Sequence, residues 1–159
     1  MNMQVLKRSR REPEEGDLFV YKIRGLPYGF GRVIRKGTKI GGFTDVILLY
    51  FYDAFSEKKD KVPKLDRRKL LVPPLGTNRR PWTMGYFQTV RSEPLKDSDT
   101  LPVHCFRCEV REAYLDEYGR RLPRKRRPCG LYALGSFRTI DAKISMAVGI
   151  EPSPDTVPP

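Results

Sequence analysis

Asp45 is followed by Val46-Ile47-Leu48-Leu49-Tyr50-Phe51-Tyr52, and this unbroken apolar and aromatic run decides the fold of the chain. A half-buried strand alternates polar and apolar residues, whereas a short continuous apolar run is typical of a strand buried on both faces. The run is also far shorter than the about 20 residues that a membrane-spanning helix needs. We therefore expect a central strand in a β-sheet and no membrane span.

Shorter strand patterns rich in β-branched and aromatic residues lie on both sides of this run. They are Asp17 to Ile23, Phe30 to Ile34, Lys69 to Val72 (stopped by Pro73 and Pro74) and Trp82 to Val90. Gly29 and Gly31 alternate with large residues, which suits a strongly bent or closely packed strand. Together with the central run, these patterns predict a small, strongly bent barrel of SH3-like or OB-like type over residues 16–90.

The second half of the chain predicts additional strands and one C-terminal helix, so the expected fold class is α+β, mainly β. Strand patterns cover Val103 to Val110 and Ala113 to Leu115. Ile140, Ile144 and Val148 recur every four residues, Thr139 can cap this helix, and Gly149 can end it.

These patterns divide the chain into three parts. Residues 1–15 form a basic and charged N-terminal arm, and residues 16–150 form a single β-rich domain. In that domain the barrel covers 16–90, and the appended strands and helix cover 103–150. Residues 151–159 form a Pro-rich tail that is predicted to be disordered.

The charge balance leaves two interpretations open, an anionic partner and a solvated basic surface that aids solubility. The chain has 31 Lys and Arg against 19 Asp and Glu, a formal net charge of +12, which attracts polyanions and acidic protein surfaces. Acidic residues intersperse most basic clusters, which favours a protein over a nucleic acid. Met1 to Arg11 enter a basic cluster without the apolar stretch of a signal peptide, and the cysteine count is odd. We expect a cytoplasmic protein with reduced thiols.

Four residues have the chemistry of a metal site: His104, Cys105, Cys108 and Cys129. Against a zinc site, Cys105 and Cys108 fall in a strand pattern, where residues three apart point to opposite faces. Buried structural cysteines and a surface histidine are the favoured interpretation, with no metal and no cofactor.

Catalysis is not expected either. His104 is the only histidine, so a Ser or Cys nucleophile has no other imidazole as its base. The neighbouring carboxylates Asp116 and Glu117 are better explained as solvated turn formers. We predict that the protein is not an enzyme.

Arginine and aromatic side chains are the candidate partner-binding residues, because Trp, Tyr and Arg dominate the hot spots of protein interfaces. The candidates are Tyr28, Arg32, Arg79, Arg80, Trp82 and Tyr86, with Arg124, Arg126 and Arg127 of a basic loop. Trp82 is expected to be exposed or at the rim. The same mixture stacks on single-stranded nucleic acid, so a nucleic-acid-binding barrel is the alternative.

Several motifs resemble the immunity protein 26 family. They are Pro13-x-x-Gly16-Asp17-x-Phe19, Tyr28-Gly29-Phe30-Gly31-Arg32-Val33, the strand from Ile47 to Asp53, Trp82-x-x-Gly85, Tyr114-x-Asp116-Glu117-x-Gly119 and Ser136-Phe137-Arg138-Thr139-Ile140-Asp141. The resemblance extends from about Leu6 to Ile150. It implies an α+β fold without a catalytic centre. It also implies an antitoxin of a bacterial polymorphic toxin system, which binds and neutralises its cognate toxin inside the producing cell. We expect the mechanism to be stoichiometric occlusion of that toxin.

Overall fold

The computed structural model describes residues 1–157, and it is mainly β with a C-terminal helix. The strands are β1 (Asp17–Lys22), β2 (Tyr28–Thr38), β3 (Val46–Ser56), β4 (Leu70–Thr77), β5 (Gln88–Ser92), β6 (Cys105–Cys108), β7 (Ala113–Leu115), β8 (Cys129–Leu131) and β9 (Leu134–Gly135). The helices are α1 (Arg80–Thr83) and α2 (Phe137–Ala147), with short 3-10 turns at Ile40–Gly42 and Asp97–Asp99. The predicted fold class, α+β and mainly β, is confirmed.

The strands form two sheets. The larger has the order β5-β1-β2-β3-β4-β9, and the smaller has the order β7-β6-β8. Pairing is antiparallel except between β4 and β9 and between β6 and β8. The run from Val46 to Tyr52 lies in β3, between β2 and β4, and all of it is buried. The prediction of a central strand buried on both faces is confirmed.

The larger sheet is open, so the predicted SH3-like or OB-like barrel is wrong in its closure. Within residues 1–157, β5 pairs only with β1, and β9 pairs only with β4. A barrel over residues 16–90 would require β5 to pair with β4. That edge of β4 is instead occupied by β9, where Gly76 and Thr77 pair with Leu134 and Gly135.

Side chains on opposite faces of β3 belong to two separate cores. Leu49 and Phe51 pack in one core, which we call the first core, with side chains from β1, α1 and α2. Leu48 and Tyr50 pack in the other core, which includes Phe106 of the smaller sheet. Helix α2 therefore covers one face of the larger sheet, and the smaller sheet covers part of the other face.

Gly29 and Gly31 allow the first core to pack closely. In the β1–β2 ladder Tyr21 faces Gly29 and Phe19 faces Gly31. The rings of Tyr21 and Phe19 lie where a Cβ at these glycines would stand. The expected close packing of this strand is confirmed.

Strand β4 continues through Pro73 and Pro74, where the sequence predicts that it stops. Val72 pairs with Phe51 and Leu75 pairs with Leu49, so β4 has one more residue than β3 between these pairs. Proline has no N–H to donate to a ladder and is tolerated where a bulge interrupts the pairing.

The predicted strand from Trp82 to Val90 is wrong for its first six residues, because Trp82 and Thr83 belong to α1 and Met84 to Phe87 form turns and bends before β5 begins. Pro81 lies in the first turn of α1, where its fixed φ favours a helix and its missing N–H costs nothing. Trp82 turns inward and lies edge-on to Phe19 and Phe87, with ring centroids 5.3 and 5.1 Å away. Packing of this indole ring thus favours a turn of helix at Trp82 over the start of a strand.

Helix α2 begins three residues earlier than predicted. Ser136 is its N-cap, and its hydroxyl accepts a hydrogen bond from the backbone N–H of Thr139 at 3.2 Å, so Thr139 lies inside the helix. The predicted stop is confirmed, since Gly149 has a φ of +78°. No helix within residues 1–157 is both long enough and apolar enough to cross a membrane.

Both terminal segments contact the domain. Met3 is buried and bridges to Ile23, and the backbone N–H groups of Asn2 and Met3 donate to the buried carboxylate of Asp141. Thr156 is buried as well. The last two residues of the predicted disordered tail, 158 and 159, lie outside the described residues.

Candidate partner-binding surface

The N-terminal segment, residues 4–11, lies along the domain and carries much of the basic cluster. The backbone N–H of Gln4 donates to the carbonyl of Lys22 at 2.8 Å, and that of Leu6 donates to Gly85 at 2.7 Å. Further along, the N–H of Ser9 donates to the carbonyl of Trp82 at 3.1 Å. From here on, the arm means residues 4–11 only, which are part of the predicted N-terminal arm 1–15. It is held against β1 and the turn after α1.

A buried carboxylate fixes the end of the arm. Asp17, at the start of β1, is fully buried and accepts hydrogen bonds from Arg11 Nη1 at 2.8 Å, Ser92 Oγ at 2.6 Å and the backbone N–H of Glu14 at 2.9 Å. Burial alone raises the pKa of Asp17, but the hydrogen bonds from Arg11 and Ser92 outweigh it and leave that pKa below its ordinary value. Asp17 is therefore a charged group that joins the arm, β1 and β5.

Two adjoining grooves run along the arm and share Ser9. The edge groove has a volume of about 460 Å³ and is lined by Lys7, Ser9, Arg11 and the strand residues Gln88, Thr89, Val90, Arg91 and Ser92. The arm groove has a volume of about 660 Å³ and is lined by Arg8, Ser9, Arg10, Arg79 and Thr83. Every charged side chain that lines these grooves is a cation.

Some of these cations are paired with a carboxylate, and others are not. Arg11 pairs with Asp17, Arg79 pairs with Glu12, and Arg91 pairs with Glu93. Within residues 1–157, no ion pair is found for Lys7, Arg8 or Arg10. The unneutralised positive charge of the two grooves therefore comes from the arm itself.

Helix α1 joins the arm groove to a cluster of arginine and aromatic side chains. The ring of Tyr86 stacks on Phe137 with centroids 5.3 Å apart and an angle of 21° between the planes. The guanidinium of Arg80 lies 5.6 Å from the Phe137 centroid, and that of Arg138 lies 6.0 Å from it. We call these four residues the Phe137 cluster. Cation–π contacts of this kind contribute about 0.5–1 kcal/mol at exposed sites, so they favour this arrangement of the arginines.

The structure brings some of the predicted partner-binding residues together and separates others. Arg79 and Arg80 are exposed and neighbour the arm groove and the Phe137 cluster, which includes Tyr86. Tyr28 lies elsewhere, at the start of β2, where Lys22 covers its ring. The loop residues Arg124, Arg126 and Arg127 are exposed but line neither groove.

Two predicted residues are buried. Trp82, expected at the rim, has only 2% of its surface exposed because it fills the first core. Arg32 is 6% exposed, and its guanidinium donates to the carbonyls of Gly16 and Glu93 and pairs with Asp99 at 3.4 Å. The prediction that Trp82 is exposed is wrong, and Arg32 ties loops together from inside the domain.

Sequence reasoning missed the arm and Phe137 as parts of this surface. Lys7, Arg8 and Arg10 belong to a basic cluster that was visible in the sequence, but nothing local indicates that it lies beside Arg79. Phe137 immediately follows the helix cap Ser136, and an aromatic residue in the first turn of a surface helix was the available signal.

A second group of polar side chains is buried beneath the smaller sheet. The hydroxyl of Tyr50 lies 2.6 Å from Nε2 of His104, and Nδ1 of His104 bonds to the carboxylate of Glu117. The N–H of Leu101 donates to the Tyr50 oxygen at 2.9 Å. Burial raises the pKa of Tyr50 to about 12, so its hydroxyl stays protonated.

This group corrects two predictions. His104 is 3% exposed, not at the surface, because both of its ring nitrogens bond within the domain. Glu117 is 6% exposed and is not a solvated turn former, whereas Asp116 does form the turn by accepting from the N–H groups of Tyr118 and Arg120. We call Tyr50, His104 and Glu117 the triad. It joins β3 to the segment before β6 and the segment after β7.

The four candidate metal ligands do not converge. Cys105 and Cys129 are partners in the parallel β6–β8 ladder, and their sulfurs lie 3.0 Å apart. Cys108 packs in a separate small cluster, and both nitrogens of His104 are occupied. Burial and the adjacent Cys105 raise the pKa of the Cys129 thiol to about 12. Within residues 1–157, no group of three or more His, Cys, Asp or Glu side chains is placed to hold a metal ion.

Comparison with known proteins gives one match. A family model described as Immunity protein 26 matches residues 14–113. The matched stretch includes all of the larger sheet except β9, and it includes α1 and the triad residues Tyr50 and His104. No curated protein and no solved structure matches the chain.

Proposed function

This chain belongs to the immunity protein 26 family, and from that premise we propose that it binds a cognate toxin and neutralises it in the cytoplasm of the bacterium that makes both. The family name supports a binding role without catalysis. The observation that carries the proposal for this chain is the arm groove and the adjoining Phe137 cluster, a continuous surface of arginine and aromatic side chains.

We propose that neutralisation is stoichiometric, with this surface covering the active site of the toxin or an adjoining region. Tyr and Arg are the residue types that contribute most to binding energy in protein interfaces. Here Phe137 contacts both Arg80 and Tyr86, and backbone hydrogen bonds hold the arm against the domain, so part of the surface is arranged before binding. A preformed surface loses less conformational entropy on binding, which favours tight association.

The charge of the surface supports an acidic target. The cations of the two grooves and the net charge of +12 attract a negatively charged surface and accelerate association at low salt. Because salt screens exposed charges, we expect salt to slow association more than it accelerates dissociation.

A nucleic acid is the second candidate ligand, because basic grooves with adjacent aromatics are typical of single-strand binding. The geometry of the Phe137 cluster disfavours it. Bases need free aromatic faces, but Tyr86 and Phe137 stack on each other, and Arg80 and Arg138 lie over Phe137. The arrangement leaves arginine edges, not ring faces, for a ligand.

The test uses the protein encoded next to this gene as the candidate toxin. The two are expressed together and separately in a bacterium, and growth and complex formation are measured. We expect growth arrest by the candidate toxin alone, normal growth with both, and a one-to-one complex by light scattering that persists at high salt.

Continued growth arrest with both proteins present, and no complex at low or high salt, would refute the proposal. Recovery of nucleic acid alone, released by modest salt, would support the nucleic-acid alternative instead.

A further inference from the structure

Strand β5 has an unpaired edge. It lies at one end of the larger sheet and pairs with β1 through Asp17, Leu18, Phe19 and Val20. Within residues 1–157, no backbone hydrogen bond joins Gln88, Thr89, Val90, Arg91 or Ser92 to another segment on the opposite side. Such an edge presents N–H and C=O groups that can pair with an additional strand.

The opposite end of the same sheet offers no comparable edge. Strand β9 there has only two residues, Leu134 and Gly135. Strand β5 has five residues, includes no proline and no glycine, and contains β-favouring Thr89 and Val90. If either end of this sheet accepts a strand, it is therefore β5.

Two segments flank this edge without pairing with it. The arm lies on one side and forms the edge groove with β5. On the other side Lys59, Asp60 and Val62 of the β3–β4 loop form a groove of about 350 Å³ with Gln88 to Arg91, and Lys59 Nζ donates to Gln88 Oε1 at 3.4 Å. Open space thus borders the same strand residues on two sides.

The charge beside the edge selects the occupant. Lys7 lines the edge groove and Arg8 and Arg10 line the adjoining arm groove, and no carboxylate pairs with them within residues 1–157. An extended segment bearing Asp or Glu gains from these cations, whereas a basic segment is repelled.

We propose that β5 is a docking edge, at which an extended acidic segment of the partner adds as a further strand. Its carboxylates lie beside Lys7 in the edge groove and, where the segment continues into the adjoining arm groove, beside Arg8 and Arg10. This deepens the proposed function, on which it rests, by naming the part of the toxin that the protein recognises. Main-chain hydrogen bonds supply affinity, and the cations make the edge select acidic sequences.

Backbone pairing distinguishes this occupant from a nucleic acid. A nucleic acid contacts the cationic side chains but forms no ladder with the amides of β5. A peptide strand protects those amides from hydrogen exchange.

The experiment selects ligands from a library of random displayed peptides on the full chain at near-physiological salt. Hydrogen exchange of the segment containing β5 is then measured with the best synthetic peptide and, separately, with single-stranded DNA. We expect acidic, β-prone peptides that slow exchange in Gln88–Ser92 at least tenfold, and DNA that leaves exchange there unchanged.

Matched charge reversals test the selecting residues. The double variant Lys7→Glu with Arg10→Glu is compared with Arg124→Glu with Arg127→Glu, since all four positions are exposed and none has an ion pair within residues 1–157. We expect roughly tenfold or greater weakening of peptide binding for the first pair only.

The docking edge would be overturned by no enrichment of acidic peptides, by unchanged exchange in β5 with the selected peptide bound, or by equal weakening by both double variants. Tighter binding of DNA than of any peptide would also overturn it. If the toxin is neutralised while one of these results holds, the proposed function stands and only the docking edge fails.

Discussion

The ring of Phe19 covers Gly31 on the neighbouring strand, in the space that any larger residue at position 31 would need. The same ring stacks on Phe87 with centroids 4.5 Å apart and meets Phe51 and Trp82 edge-on. Phe19 therefore cannot move aside without disturbing the whole first core.

We expect Gly31→Ala to lower the free energy of unfolding by about 2–3 kcal/mol, because the added methyl overpacks a core that cannot adjust. Gly135→Ala is the matched control, since its Cβ would lie 3.2 Å from the nearest heavy atom, and we expect a smaller loss. Urea unfolding measures both. Combining Gly31→Ala with Phe19→Leu should recover part of the loss, and independent additive effects would contradict the packing explanation.

The His104–Glu117 pair makes stability depend on pH. Burial by itself raises the pKa of Glu117, but the hydrogen bond and charge of His104 outweigh it and hold that pKa below its ordinary 4.5. A carboxylate whose folded pKa is depressed stabilises the protein above its unfolded pKa, and this contribution is lost as the pH falls through the folded value. We expect unfolding free energy to drop below about pH 4.5.

The variant Glu117→Gln should remove that part of the pH dependence and lower stability at neutral pH by about 1–3 kcal/mol, because a charge-assisted buried bond becomes a neutral one. Denaturant unfolding between pH 3 and 7 measures this. Glu109→Gln, at an exposed position without a side-chain bond, is the control. An unchanged pH profile in Glu117→Gln would show that other carboxylates cause the acid sensitivity.

Asp17 should control the order of the arm. Replacing it with Asn removes the charge that holds Arg11 and weakens the bonds to Ser92 and Glu14. We expect faster tryptic cleavage among Lys7, Arg8, Arg10 and Arg11, and a loss of about 2–4 kcal/mol in stability. Asp66→Asn, which weakens a pair with the exposed Arg68, should leave cleavage of the arm unchanged and cost less stability. Equal cleavage of the arm in both variants would contradict this role.

Substitutions at Trp82 should affect mainly the stability of the protein, whereas substitutions at Tyr86 and Arg80 should affect mainly its binding of the toxin. We expect Trp82→Ala to cost about 3–5 kcal/mol of stability, because it leaves a cavity in the first core. Arg80→Ala should unfold at nearly the same denaturant concentration as the parent protein, whereas Tyr86→Ala should unfold at a lower one because its ring packs partly against the first core. Each should weaken toxin binding by about 2 kcal/mol. Calorimetric titration with the toxin measures the second effect, and Arg124→Ala is the control. Undiminished binding by Tyr86→Ala would remove the Phe137 cluster from the interface.

The central strand was predictable because its signal is local. An unbroken apolar run such as Val46 to Tyr52 has few stable places other than the middle of a covered sheet. The end of α2, which stops just before Gly149, was predictable for the same reason. The Trp82 segment was not, since its aromatic pattern favours a strand, and only contact with Phe19 and Phe87 selects a helical turn.

The candidate surface and the triad depend on contacts distant in the chain. Arg79 lies beside Arg10 only because the arm bonds to the carbonyls of Gly85 and Trp82. His104 meets Tyr50 because the smaller sheet covers β3. Neither of these contacts between distant residues leaves a periodic pattern in the sequence. From its residue type alone His104 was predicted to lie at the surface, and the arm was not predicted to be part of the binding surface.

The pairing of β9 with β4 and the packing of Ile140 and Ile144 against the first core have a consequence for protein synthesis. On a ribosome, the strands that line this core emerge well before the helix that covers it. Until Ala147 has left the exit tunnel, Leu49, Phe51 and Trp82 lack one wall of their packing. The nascent chain therefore gains its final stability late, only after the whole of α2 has been synthesised.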